Sequence, residues 1–266
     1  MNGEPYLARI RIFPFKSLSA AERDHVRVLP SGALESDREF ALFDRAESVI
    51  NGKRTTRVHA LRAVYPPALD AVTFERSDAR FTFRFDQDTR ELERWLSAHF
   101  SCDVFVRRDR RGGFPDDTDA PGPTIVSTAT LETVAGWFSG LDVDAVRERF
   151  RANLEIGGVP AFWEDRLYGA PGETIRIAIG EARFGGVNPC QRCIVPSRDP
   201  SSGTPTPSFA KIFAERRLAE LPPWADRSRF DHGYRLCVNT AFGGAGEGVS
   251  LRLGDRVRIV GPSADA

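Results

Sequence analysis

The sequence predicts a mainly β fold of the α+β class, built from two β-rich domains that carry a few helices. Three observations support this prediction. Alternating, strand-like runs recur in both halves of the chain, helical spacing is confined to a few segments, and a polar segment rich in Gly and Pro separates the halves at residues 107–123. Such a segment is typical of an interdomain linker or a long functional loop. A chain of 266 residues suits one large domain or two smaller ones.

Strands dominate the prediction for the N-terminal half. Residues 6–13 alternate with the period of two expected of a half-buried strand, and residues 38–44 form a short apolar run between turn-forming residues. Residues 72–75 and 80–85 are separated by a Ser-Asp-Ala turn at 77–79, which indicates a β-hairpin. The apolar side chains of residues 92–100 fall at helical spacing, so an amphipathic helix is expected to end this half.

Helices and strands are interleaved in the C-terminal half. Two helices are predicted over residues 129–138 and 143–150, with Thr128 and Asp142 as their N-caps. The remaining predicted elements are strands at 154–156, 174–179 and 234–239, a helix at 207–218, and closing strands at 249–253 and 257–260 around a Gly254-Asp255 turn.

The charge balance excludes a general attraction to polyanions. Lys plus Arg equals Asp plus Glu at 37 each, so no nucleic-acid partner is predicted, and an anionic ligand must be met by a local Arg cluster. Apolar runs are too short to span a bilayer, the N-terminal residues lack a signal-peptide core, and four cysteines do not make a disulfide scaffold. We therefore expect a cytoplasmic, reducing location without a membrane span.

The segment Asn188-Pro189-Cys190-Gln191-Arg192-Cys193 places two thiols three residues apart, in what we expect to be a Gly-rich loop between strands. Thiolates suit copper, zinc, iron–sulfur clusters and, by the same softness, molybdenum. Arg192 would stabilise a neighbouring thiolate. Three other interpretations stay open from the residues alone: a zinc site completed by His99 and Cys102, a thioredoxin-like redox pair, or two core cysteines.

Cationic and polar side chains recur at three other places. Lys16 and Ser17 follow the first predicted strand, and Arg38 precedes the next. Arg149, Arg151 and Asn153 occupy alternating positions leading into a strand, so we expect them to share a face and project into one cleft. Each of these is, by itself, more typical of a solvated charge or a strand-end cap. Their joint occurrence with the Cys motif forms the pattern of a family.

That pattern resembles the MOSC superfamily, named for the C-terminal domain of molybdenum-cofactor sulfurases, and in particular its two-domain branch, the mitochondrial amidoxime-reducing components and their bacterial relatives. The resemblance covers nearly the whole chain. It rests on Pro14-Phe15-Lys16-Ser17-Leu18, Asp37-Arg38, Ser127 with Leu131, Arg149-Phe150-Arg151-Ala152-Asn153, Glu164-Asp165, Cys190-Gln191-Arg192-Cys193, Asp199-Pro200 with Gly203, and Gly254-Asp255. The chain departs from the family at Ala152, where a Pro is usual, and at Ile194-Val195, where Thr-Thr is frequent.

The resemblance implies an N-terminal β-barrel domain over residues 1–115, a MOSC β-barrel domain with peripheral helices over 116–266, and a molybdenum cofactor (molybdopterin with Mo) between them. By the same resemblance, Cys193 is the molybdenum-ligating thiolate and the catalytic centre. The implied cofactor contacts are Lys16, Ser17 and Arg38 for the phosphate and pterin, and Ser127, Thr128, Arg151, Asn153 and Arg192 for further contacts.

The activity implied is a molybdenum-dependent oxidoreductase that reduces N-hydroxylated small molecules. The sequence has no ferredoxin-like Cys set, dinucleotide fingerprint or haem motif. Electrons are therefore expected from a separate ferredoxin-, flavodoxin- or cytochrome-type protein, for which the acidic residues around Asp116 and the basic segment 107–111 are candidate docking surfaces. One alternative is a cofactor carrier or sulfur-transfer protein that uses Cys193 with a partner desulfurase. Another is a metal-free module that binds a small anion.

Overall fold

The computed structural model describes residues 3–76, 79–242 and 248–262. Strands predominate, and the predicted mainly β fold is confirmed. The strands in the described residues are β1 (Tyr6–Ile12), β2 (Ala21–Arg23), β3 (His25–Arg27), β4 (Phe40–Phe43), β5 (Arg62–Val64), β6 (Ala71–Arg76), β7 (Ala79–Arg84), β8 (Phe105–Arg108), β9 (Ile125–Ser127), β10 (Leu154–Gly157), β11 (Ile175–Ile179), β12 (Ala182–Gln191), β13 (Arg235–Phe242), β14 (Ser250–Arg252) and β15 (Val257–Pro262). The helices are α1 (Thr89–Phe100), α2 (Thr128–Gly136), α3 (Val143–Phe150) and α4 (Phe209–Ala219).

A mixed sheet of eight strands, in the order β15-β11-β12-β13-β9-β10-β1-β2, is the largest element. Adjacent strands in this sheet are antiparallel, except for the parallel pair β9 and β10. Strands β1 and β2 come from the N-terminal half of the chain, so the sheet takes strands from both sides of the proposed boundary between residues 115 and 116. The two-domain division therefore stays a proposal.

The other strands of the N-terminal half form a three-stranded sheet, β5-β6-β7, and the pair β4–β8, except β3, which pairs with β14 of the C-terminal half. The predicted hairpin is confirmed as β6–β7, while the turn residues Ser77 and Asp78 lie outside the described residues. Helix α1 buries Leu92, Leu96 and Phe100 as its spacing predicts, and packs against the aromatic core of this half.

The C-terminal helices share a second aromatic core. The rings of Phe138 and Phe209 stack at 4.4 Å between centroids, and Phe150 and Phe213 lie 5.2 Å apart. Asp142 caps α3 as predicted, because its carboxylate accepts from the Ala145 amide. The prediction for α2 was wrong by one residue: Ser127, not Thr128, is the N-cap, and its hydroxyl accepts from the Thr130 amide.

Strand β12 corrects the expectation that the Cys motif lies in a Gly-rich loop. The strand runs through Gly185 and Gly186 and includes Cys190 near its end. A Cβ at Gly186 would lie 1.7 Å from the Leu167 carbonyl oxygen, so this glycine is required by close backbone approach and not by a turn. As a separate observation, no helix within the described ranges combines the length and apolar character needed to cross a bilayer.

Candidate functional site

A cavity of about 710 Å³ lies where the segments after β1, before β4, after α3 and at the end of β12 converge. This volume falls in the range of small-molecule and cofactor sites. A strap, which we define as residues 112–122, closes one edge of the cavity. The predicted site residues that line it are Lys16, Ser17, Arg38, Arg151, Asn153, Arg192 and Cys193.

Two predicted cofactor contacts lie elsewhere. Ser127 is fully buried, where its hydroxyl caps α2 and contacts the Thr130 hydroxyl at 2.8 Å. Thr128 is the first residue of that helix, and neither residue is among those that line the cavity in the described structure. Strand β9 begins beside the lining residue Thr124 and leads away from the cavity, so Ser127 and Thr128 are not brought to it.

The grouping of Arg149, Arg151 and Asn153 was predicted for the wrong reason. They do not alternate along a strand: Arg149 lies in the last turn of α3, Arg151 follows as its left-handed C-cap, and Asn153 precedes β10. All three nevertheless line the cavity. The left-handed conformation of Arg151 ends the helix and turns the chain towards β10, so residues on both sides of this turn reach the same cavity.

Three of the lining residues have backbone dihedrals in the left-handed region. The φ angles of Ser17, Arg38 and Arg151 are 73°, 51° and 53°. Non-glycine residues adopt such angles uncommonly and at an energetic cost, and they concentrate at ligand sites, where the surrounding structure holds them. Here the Arg38 amide donates to the Phe13 carbonyl at 2.8 Å and the Arg151 amide to the Arg147 carbonyl at 3.0 Å. Backbone strain in this cavity thus coincides with its cationic side chains.

Arg38 and Arg151 differ in how their charge is balanced. Arg38 pairs with Asp37, and although removal from water would lower its pKa, attraction to Asp37 and Asp116 raises it. Arg151 forms no salt bridge within the described part of the chain; its Nη1 donates to the Leu18 carbonyl at 2.6 Å. Removal from water and repulsion by Arg38 lower the pKa of Arg151 to about 10. Glu148 and Asp116 offset this only in part, and no carboxylate in the described structure pairs directly with Arg151, so the cavity contains a positive charge that an anion would stabilise.

The ring of Phe13 positions these guanidinium groups. Its centroid lies 4.0 Å from Cζ of Arg151, 5.4 Å from that of Arg38 and 5.5 Å from that of Arg11. Phe13 is fully buried, so its face provides a fixed platform for cation–π contacts. Sequence reasoning missed this role, because a Phe at the end of a strand is indistinguishable from an ordinary core residue.

The thiol end of the cavity is built around Arg192. Its Nε donates to the Leu236 carbonyl at 3.0 Å, and its Nη2 is buried without a hydrogen-bond partner among the residues described. Removal from water would lower the pKa of Arg192, but the thiols of Cys190, Cys237 and Cys193 raise it. Cys193 is half-buried, and its Sγ accepts from the Val195 amide at 3.5 Å.

The alternative zinc site is not supported. His99 contacts the Arg57 carbonyl oxygen through Nε2 at 2.9 Å and stacks on Trp95, while Cys102 is exposed. The described residues contain no group of three or more His, Cys, Asp or Glu side chains arranged to hold a metal ion. A thioredoxin-like pair would stand at the start of an α-helix, whereas Cys190 ends a strand and only a short 3-10 helix follows Cys193.

His59 and Lys53 also line the cavity and were missed from the sequence. Removal from water, with repulsion by Arg198 and Arg151, lowers the pKa of His59, although the Pro200 carbonyl opposes this. Its Nε2 is buried without a partner among the described residues. A single His outside any motif gives no indication in the sequence that it lines a cavity.

A buried polar network lies outside the cavity. Arg217 donates from Nη2 to both oxygens of Asp165, at 2.7 and 2.5 Å, and its Cζ lies 4.2 Å from the Phe162 ring centroid. Glu164 accepts from the Thr130 hydroxyl at 3.0 Å. Burial, followed by repulsion from Asp165, raises the pKa of Glu164 to about 7.

We expect Glu164→Gln to remove a pH-dependent loss of stability. The pKa of an unfolded Glu is about 4.3, so between that pH and about 7 the folded state binds more protons than the unfolded state. The contribution of Glu164 to stability is therefore fully present below the unfolded-state pKa of about 4.3. It is lost as the pH rises through the folded-state pKa of about 7. Chemical denaturation should show the variant more stable by about 3–4 kcal/mol at about pH 8, with little difference at about pH 4.5. Parallel stability profiles for the two proteins would contradict this account.

Together, these features define a β-rich protein with a cavity that joins a thiol to a cluster of cations, and comparison with known proteins places it in a family. The chain belongs to the MOSC family: the MOSC domain model matches residues 124–258, and the MOSC N-terminal beta barrel domain model matches residues 4–110. This confirms the two-domain MOSC resemblance. The chain is 23% identical over 238 residues to molybdenum cofactor sulfurase of Caenorhabditis briggsae, a match that covers 80% of this chain and 32% of that protein.

The chain thus spans about a third of the length of that curated relative. Among solved structures, the YUAD protein from Bacillus subtilis is similar over 99% of this chain and 98% of its own, at 12% identity and a TM-score of 0.37. This degree of similarity is too low to support a conclusion.

Proposed function

We propose that the cavity holds a molybdenum cofactor, with which the chain reduces N-hydroxylated small molecules. One observation carries the proposal: the same cavity is lined by the half-buried thiol of Cys193 and by the Arg151 cation, which has no direct carboxylate partner among the described residues, beside Lys16 and Arg38. Membership of the MOSC family and the similarity to a protein named molybdenum cofactor sulfurase support the choice of cofactor.

The residues present fit this group. A thiolate is a soft ligand suited to molybdenum, and Arg and Lys side chains form short, charge-assisted bonds to phosphate. Lys16, Arg38 and Arg151 all line this cavity, so cationic donors for a phosphate are present within it. The strained backbone at Ser17, Arg38 and Arg151 is a further feature typical of a ligand site.

Each predicted site residue that lines the cavity then has a proposed role. Cys193 would ligate the metal and stand at the catalytic centre, while Lys16, Arg38 and Arg151 would bind the phosphate. Ser17, Asn153 and Arg192 would contact the pterin. Ser127 and Thr128 have no part in this proposal, because they do not line the cavity.

The bound cofactor supplies two-electron redox chemistry. In the net reaction the N–O bond of the substrate breaks, and two electrons and two protons convert the N–OH group into N–H and water. We propose that the electrons come from a separate ferredoxin-, flavodoxin- or cytochrome-type protein in the cytoplasm. The chain's own residues would orient the substrate within the cavity and shield the reacting atoms from bulk water.

A second candidate is a cofactor carrier or a sulfur-transfer protein. The name of the curated relative favours it, together with the accessibility of the half-buried Cys193 thiol from the cavity. In this function the outer sulfur of a persulfide on a partner desulfurase would transfer to the Cys193 thiol, which releases the desulfurase thiol. An external thiol reductant would then supply the two electrons that release this sulfur to the cofactor as sulfide and restore the Cys193 thiol, without redox turnover by the chain itself.

Turnover by the cofactor-loaded chain separates the two candidates. The assay supplies an aromatic amidoxime with dithionite-reduced methyl viologen as an artificial electron donor. We expect the amidine to form at a rate proportional to the molybdenum content of the preparation. No amidine formation by loaded protein, with transfer of the cofactor to an apo-molybdoenzyme, would contradict the reductase and support the carrier.

A further inference from the structure

The strap is fixed at both ends to the backbone beside the cavity. At one end the Phe114 amide donates to the Arg38 carbonyl at 2.9 Å, and at the other the Gly122 amide donates to the Thr240 carbonyl at 2.8 Å. Gly113 has a φ of 68°, and a Cβ there would lie 2.6 Å from the Asp37 carbonyl oxygen. The strap therefore lies against residues on both sides of the cavity, and the residues between its fixed ends form the cavity edge.

All three N–H donors of the Lys16 ammonium group have acceptors on this strap. Lys16 Nζ lies 3.0 Å from the Phe114 carbonyl oxygen, 2.9 Å from that of Pro115 and 2.9 Å from Oδ1 of Asp116. A lysine ammonium has three donors and no acceptor, so these contacts use its full capacity. An anionic ligand can bond to Lys16 only if at least one of the contacts is given up.

Asp116 is the contact that an anion would replace. Its carboxylate is the only charged acceptor among these three, and it is attracted to both Lys16 and Arg38. Yet the Asp116 side chain keeps 75% of its surface exposed, whereas Lys16 keeps 12%. Lys16 is thus enclosed, while its carboxylate partner can swing towards solvent with little loss of packing.

We propose that Asp116 is a specificity-determining residue: it occupies the anion position of Lys16 in the ligand-free protein and yields it only to a dianionic phosphate group. This rests on the anion subsite of the proposed function. If a bound monoanion replaces the Asp116 carboxylate, the charge beside Lys16 is unchanged and no Coulomb energy is gained. Exchange for a phosphate dianion adds one negative charge beside Lys16, Arg38 and Arg151, which favours the exchange.

The test uses the ligand-free full chain with inorganic phosphate and formate as probes, at about pH 8, where phosphate is a dianion. We expect isothermal titration calorimetry to show that Asp116→Asn tightens phosphate binding at least about five-fold, the effect of one partly exposed ion pair. The preference for phosphate over formate should fall in the same variant. Asp116→Glu keeps the charge and should keep the wild-type preference.

Asp119→Asn is the matched control, because Asp119 is exposed on the same strap and does not line the cavity. Its phosphate affinity should stay within about two-fold of the wild type. Equal phosphate affinity in wild type and Asp116→Asn would overturn the role of Asp116 and leave the anion subsite intact. No phosphate binding by either protein would overturn both the inference and the anion subsite.

Discussion

Cys193→Ser is expected to abolish molybdenum retention while leaving the fold intact. A serine hydroxyl is a hard, neutral donor at neutral pH, whereas a cysteine thiolate is soft and anionic. Loss of a group that only hydrogen-bonds to a metal ligand typically lowers metal affinity about 10- to 100-fold. Loss of the proposed ligand itself should therefore lower the affinity by more than this. The Cys193 Sγ accepts one bond, from the Val195 amide, and a hydroxyl can accept it as well. Stability is therefore expected to change by less than about 0.5 kcal/mol.

The measurement is molybdenum per chain by elemental analysis after gel filtration, paired with the urea midpoint of each protein. Cys102→Ser is the matched control, since Cys102 is exposed and does not line the cavity. It should retain wild-type molybdenum content. Full molybdenum occupancy in Cys193→Ser would contradict the assignment of Cys193 as the ligand.

Arg217→Met should destabilise the protein by about 3–5 kcal/mol, because it removes one partner of a buried ion pair. The Arg217 and Asp165 side chains are only 1% and 3% exposed, so solvent cannot replace the lost contact. Met keeps much of the hydrophobic volume between the Phe162 and Phe230 rings, which isolates the effect of the charge. Burial already raises the pKa of Asp165 against the opposing effect of Arg217. The variant should therefore recover stability as the pH falls and Asp165 becomes protonated.

Lys211→Met on the same helix provides the comparison. Lys211 is exposed, and its Nζ lies 3.9 Å from Oε1 of Glu215, a contact that contributes little. Urea denaturation should place this variant within about 0.5 kcal/mol of the wild type. A similarly small change for Arg217→Met would show that the buried pair does not stabilise the fold.

Periodicity located the longer elements and missed several of the short ones. Strand β1, the hairpin β6–β7 and the four helices in the described residues each extend over enough positions to show a repeat. Strands β2, β3, β5 and β9 have three residues each, which is too few for alternation to be visible. In β12, Gly185, Gly186 and Pro189 hid a strand of ten residues, because these residue types also mark turns and loops.

The candidate site was located by family resemblance more than by local pattern. Cys193, Lys16, Arg38 and Arg151 come from distant segments, and their assembly in one cavity depends on the long-range pairing of β1 with β10 and of β12 with β13. Asp116 was predicted as part of a docking surface, and only the course of the strap shows that its carboxylate reaches Lys16. No sequence signal distinguishes such a residue from a solvated loop aspartate.

Molybdenum and pterin content of the wild-type chain tests the central claim most directly. The chain should be expressed in a host that makes the cofactor, purified, and analysed by elemental analysis and by the fluorescence of released pterin. We expect about one molybdenum and one pterin per chain, because the proposal assigns one cofactor and one ligating thiol to the cavity. Protein from that host without molybdenum or pterin would contradict the account, and zinc alone would point to a different metal site.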